Sequence, residues 1–228
     1  MPGRERITSV RKVVKMTAQI PDKYRYENKE YAIVAMTKPM EFDPKNYGLE
    51  PHSSSTACWR GYWCEYAIKN GRLVLERLLL FNADNNYPDF NGVAVSPQEY
   101  KEIEYFNFCD EEEKHQTKTI PANDGHRTYE ANMEMKYTGK ILLGDEFLND
   151  YYIHMGFQEP WAYKDLKEFE FDNGELIAIT DHSEYAEKMR EQILRDPEVF
   201  ERAQGGNIVD YIDRSFSLDA SVKAWWIE

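Results

Sequence analysis

Two short stretches hold the residue types that could do chemistry. The first is Trp59-Arg60-Gly61-Tyr62-Trp63-Cys64. Side chains alternate along a strand, so tryptophans four apart share one face while Arg60 and Tyr62 take the other. Trp59 and Trp63 would then form a wall for a flat ligand, with Arg60 meeting an anionic group. The plainer reading is a pair of core tryptophans beside a solvent-facing arginine. It is preferred because aromatic side chains serve mostly as packing.

The second stretch is Tyr151-Tyr152-Ile153-His154-Met155-Gly156-Phe157-Gln158, with Trp161 just beyond it. A histidine next to a glycine leaves backbone room for a substrate, so His154 could be a general base, helped by Asp181 or His182. No Gly-x-Ser-x-Gly elbow and no phosphate-cradling glycine loop accompanies it. A structural histidine satisfied by hydrogen bonds is therefore preferred, and no catalytic residue is assigned. Trp59, Arg60, Trp63, His154, Gln158 and Trp161 make up the candidate ligand-binding set.

The thiols and carboxylates point to less. Cys58, Cys64, Cys109 and His115 would make a Cys₃His set, but zinc knuckles pair ligands two to four residues apart and these are spaced too widely. The acidic clusters at Glu111-Glu112-Glu113, Asp145-Glu146 and Asp172 to Glu175 lack the Asp/Asn ladder of a calcium loop. No metal and no cofactor is expected.

The elements that must position these residues are mainly strands. Residues 58–81 read as a β-hairpin turning at Asn70-Gly71, because Asn-Gly supplies the positive φ of a tight turn. Residues 166–179 repeat the grammar at Asn173-Gly174. This likeness suggests two related halves, though any two hairpins share as much. Period-two alternation predicts further strands over 14–20, 24–26 and 129–137, and 31–36, a short apolar run, 103–108 and 141–143 are read as strands as well. Ser96-Pro97-Gln98-Glu99 has the chemistry of a helix start, and 145–153 has helical spacing. Beyond Asp181 the pattern turns helical, with starts at Asp181, at Asp196-Pro197-Glu198 and near Ile208. Residues 222–227 are apolar enough to return to the core. The fold expected is α+β: mainly antiparallel β-sheet, curved or barrel-like, with C-terminal helices. We read 1–228 as one domain, with sub-halves 1–109 and 128–228 joined by a polar connection over 110–127.

Bulk properties bound the partners. The formal charge is −13, which discourages contact with nucleic acid or anionic lipid. No apolar run reaches membrane-helix length, no signal core follows the first residues, and three cysteines without a secretory context read as cytoplasmic thiols. Three functions are compatible. An acidic interaction or regulatory protein asks for no missing motif and leads. A small-molecule-binding β-barrel with an aromatic pocket and an enzyme using His154 with Asp181 or His182 are the alternatives.

Overall fold

Asn70 and Asn173 take φ of 53° and 46°, and the glycines that follow take 76° and 83°. Positive φ at both central positions matches the right-handed twist of paired strands, so the chain reverses tightly at both places. The computed structural model describes residues 17–106, 115–196, 198, 208–224, 226 and 227. The first corner joins β3 (Tyr62–Lys69) to β4 (Arg72–Leu80); the second joins β10 (Tyr163–Asp172) to β11 (Glu175–Asp181).

Around these hairpins stand β1 (Lys23–Tyr26), β2 (Lys29–Met36), β7 (Arg127–Tyr129), β8 (Met133–Glu134) and β9 (Gly139–Phe147). The order is β11-β10-β9-β2-β1-β3-β4-β7, with β8 also beside β4. Every pairing is antiparallel except β1 with β3. The sheet bends until its ends meet, because β11 also pairs β4 through Glu175 and Arg72. The two corners make that contact: Leu73 N–H donates to the Gly174 carbonyl at 2.7 Å, and Leu176 N–H to the Gly71 carbonyl at 2.9 Å.

Alternation along the strands sorts the apolar residues into two layers. Ile33 and Leu143 join Tyr24, Tyr66, Leu75, Phe169 and Phe171 in the central core. Their neighbours Val34 and Leu142 face the other way. That outer layer is covered by Ala186 of α1 (Ser183–Arg195) and by Ala224, with Trp226 and Ile227 packed against it. Among the described residues, α2 (Ile208–Phe216) and α3 (Ala220–Lys223) follow in the C-terminal part. The expected helix near Ile208 is present, and the tail docks on the sheet.

Several local expectations give way to tertiary pairing. Ser96-Pro97-Gln98-Glu99 starts no helix; the Ser96 N–H donates to the Thr128 carbonyl and β5 (Tyr100–Phe106) follows. Much of 110–127 is strand rather than open connection, since β6 (His115–Pro121) pairs β5 along its length as a two-stranded ribbon. The acidic triplet and Cys109 lie outside the described residues, as do the last two positions of the strand expected over 103–108. Residues 129–137 keep their alternating burial, but Asn132 at φ 45° interrupts the ladder. Residues 145–153 are not a helix: β9 runs on to Phe147, opposite Tyr163, and only Asn149–Tyr151 make a 3-10 turn. Of the strand expected over 14–20, residues 17–20 show one bridge, Ala18 to Gly156, and the remainder lies outside the described residues. So does most of the helix expected at Asp196-Pro197-Glu198.

Candidate functional site

The shortness of β1 opens a gap in the ring. Lys23 pairs Ala32 of β2 and Glu65 of β3. Beyond Lys23 the chain contributes Asp22 and then leaves the sheet, while β2 continues to Met36 and β3 begins at Tyr62. The C-terminal segment spans part of the opening, because the Met36 N–H donates to the Leu218 carbonyl at 2.7 Å. Under this opening lies a cavity of about 420 Å³ with Met36, Met40, Phe42, Tyr62, Tyr66 and Leu218 among its walls.

Its buried ionic pair, Asp22 with Arg60, is neutralised in place, while Lys38 and Asp219 stand exposed at its rim. Buried Asp22 accepts from Arg60 through both oxygens, Nη2 to Oδ1 at 2.6 Å and Nη1 to Oδ2 at 3.0 Å. Its Oδ1 also takes the Cys64 backbone N–H at 2.6 Å. This fork geometry is the strong form of an arginine–carboxylate pair. The Arg60 guanidinium lies 4.9 Å from the centre of the Tyr62 ring. Burial opposes the Arg60 charge, and the Asp22 carboxylate more than offsets this. Burial pushes the Tyr62 phenol up to about 12. It also pushes the Cys64 thiol well above its ordinary value, with the Asp22 charge adding to the effect. At neutral pH the cavity therefore presents a thiol rather than a thiolate and neutral phenols, a lining suited to holding a molecule rather than attacking it.

Of the six residues singled out from the sequence, Arg60 reaches this cavity. Gly61 takes φ 75° where a Cβ would sit 2.1 Å from the His52 carbonyl oxygen, so the chain turns sharply there. Strand parity consequently starts only at Tyr62. Trp59 stays outside, 44% exposed and stacked on Phe216 at 5.1 Å. Trp63 is buried with Cys58 and Leu79, its ring 4.4 Å from that of His126. The preferred reading of two core tryptophans holds for Trp63 and not for Trp59, and no two-tryptophan wall is formed. His154 is exposed, edge-on to Tyr152 at 4.9 Å. Gln158 accepts from the Ile153 N–H and donates to the Ile153 carbonyl, both at 2.9 Å, holding its own loop. Trp161 packs on Met189, with the Arg214 guanidinium 5.7 Å from its ring. Asp181 accepts the Ser183 N–H at the start of α1, and His182 sits beside Glu168.

A second polar cluster fixes the segment that frames the opening. Glu159, Arg214 and Lys223 are all buried, Lys223 completely. Arg214 approaches the two Glu159 oxygens at 3.3 and 3.0 Å. The Lys223 ammonium donates to Glu159 Oε1 and to the Phe157 carbonyl, both at 3.0 Å. Burial pulls Lys223 below the ordinary lysine value, against the opposing pull of Glu159. Leu218 lies between the two anchors, so this cluster sets its position over the cavity.

Cys58 and Cys64 are buried free thiols, and among the described residues no group of three or more His, Cys, Asp or Glu side chains could hold a metal ion. No helix among the described residues is long and apolar enough to cross a membrane. No family model, curated protein or solved structure matches the chain.

Proposed function

We propose that the chain binds a small molecule in the cavity beside β1. The observation that carries this reading is a cavity of about 420 Å³ under the gap beside β1, walled mainly by apolar side chains around one buried ion pair. That is the usual make-up of a ligand site: an apolar enclosure with a few fixed polar groups. Two N–H groups of Arg60 are committed to Asp22, and an arginine has five. The polar corner can both donate and accept, and its net charge is near zero. The ligand that fits is compact, largely apolar and uncharged at its polar end.

Met40 lies half-buried on the loop over the cavity, so a larger side chain there fills ligand space without entering the central sheet. With Nile red as an uncharged fluorescent probe, Met40→Trp is expected to weaken binding at least tenfold and leave the melting temperature nearly unchanged. Equal dye affinity in the variant and the parent would remove the cavity from consideration. Native mass spectrometry of the protein from its own host then identifies what it carries.

One observation favours the interaction reading as a second possibility. On β11, Ile177 and Ile179 are 56% and 41% exposed, and this strand touches β4 only at its first residue. A lightly paired strand carrying exposed apolar side chains is a natural place for a protein partner to pair. If a partner is recovered with the parent chain from the native host, Ile177→Lys is expected to lose it; recovery undiminished would exclude β11. The acid–base reading has less support, because His154 faces solvent and its ring contact is Tyr152.

A further inference from the structure

A second cavity, of about 470 Å³, lies outside the ring between the sheet and the C-terminal segment. Leu142, Ala224 and Ile227 give it apolar walls. Lys140 and Glu168 give it charged ones, with the Lys140 Nζ 2.8 Å from Glu168 Oε1. Behind the carboxylate stands His182, only 4% exposed, its Nε2 3.6 Å from Glu168 Oε2. That separation is too long for a hydrogen bond, and neither ring nitrogen has a partner. Buried polar atoms left without hydrogen-bond partners are uncommon and unfavourable. Glu168 is thus set between a surface ammonium and a buried ring, one carboxylate oxygen toward each.

The nearby His182 ring, and Lys140 with it, hold Glu168 below the usual carboxylate range, so the group is ionised at neutral pH. The Lys140 side chain is 40% exposed. The ammonium side of the pair can return to water, so another cation displaces Lys140 at small cost. Once displaced, Lys140 stays hydrated. The formal charge of −13 concentrates cations near the surface. An ammonium already rests on the carboxylate, and an apolar trough adjoins it.

We propose that this cavity binds a primary alkyl amine, its ammonium replacing that of Lys140 on Glu168 and its chain lying along Leu142, Ala224 and Ile227. The two cavities share Thr37 as a wall, and this proposal does not depend on what the cavity beside β1 binds.

The test is calorimetric titration of the full chain with hexylamine, hexanol and hexanoate. Hexylamine is expected to bind at least tenfold more tightly than either analogue. Glu168→Gln is expected to weaken it tenfold or more, while Lys140→Ala leaves it equal or tighter because the internal competitor is gone. Ser221 is an exposed residue of the rim. Ser221→Trp should block binding without touching the charged pair, which keeps the test decisive if Glu168→Gln melts early. Equal binding of hexanol, full binding by Glu168→Gln, or loss of binding in Lys140→Ala would overturn the proposal. An acetylated, amidated Gly-Lys-Gly peptide separates the sources of the ammonium. Binding of that peptide without binding of hexylamine would overturn the free amine as ligand and assign the site to a lysine of another protein.

Discussion

Carrying the protein from neutral pH to pH 11 is expected to remove about 4 kcal/mol of stability through three buried tyrosines alone. Tyr24, Tyr66 and Tyr163 are buried, and burial raises all three phenols far above their ordinary value near 10. In the unfolded chain each ionises as the pH passes 10; in the folded chain each stays protonated. A raised folded value means that the full contribution is present below pH 10 and falls above it, by about 1.4 kcal/mol per pH unit for each tyrosine. Tyr62 and Tyr129, pushed up to about 12, act in the same direction. Lys223 acts the other way, because its lowered folded value makes stability rise with pH up to the ordinary lysine range. One lysine does not offset several tyrosines. Domain stabilities run from about 5 to 15 kcal/mol, so cooperative alkaline unfolding is expected within a unit or two above pH 10. Phenolate absorbance and far-ultraviolet circular dichroism recorded together should change in one transition. Smooth titration of these phenols near pH 10 with the dichroism unchanged would show that they are not protected.

Replacing Glu159 by glutamine is expected to cost about 3–5 kcal/mol. The side chain is buried and faces both Arg214 and Lys223. Glutamine keeps the shape and removes the charge, leaving two buried cations without a counter-ion. Burial already works against the Lys223 ammonium with the carboxylate present. The loss should be read from urea unfolding as a lower midpoint with an unchanged slope. Glu159→Leu combined with Arg214→Met and Lys223→Met should recover most of it, since a buried charge cluster exchanged for apolar packing is often neutral or better. A cost below about 1 kcal/mol for the glutamine variant would mean that the C-terminal segment is held by its apolar contacts instead.

Both reversals were legible because Asn70-Gly71 and Asn173-Gly174 have few conformations open to them, and flanking alternation then set which residues were buried. The helix chemistry of Ser96-Pro97-Gln98-Glu99 is equally clear locally, yet the Ser96 N–H found a strand partner at Thr128. Local propensity is a weak preference, and a tertiary pairing overrides it. The tryptophan wall failed at Gly61, where one residue with positive φ undoes any argument from parity. Arg60 was singled out by its residue type and does line the cavity, but its partner was not legible. Asp22 falls between the strands expected over 14–20 and 24–26, and nothing in the sequence ties it to a residue 38 positions away. The Glu159 cluster is hidden for the same reason, its members lying 55 and 64 positions apart. Composition reports that an acidic chain has carboxylates to spare; it does not report which of them is buried.

The meeting of the two corners also bears on how the chain reaches its structure. Arg72 donates from Nη2 to the Asn173 carbonyl across 101 positions of sequence. Each hairpin forms from near neighbours on a microsecond scale, whereas closing the circle must first overcome the entropy of a long intervening loop. Closure therefore comes after the two hairpins. Changes confined to the corner contact should quicken unfolding and leave the refolding rate largely unaltered.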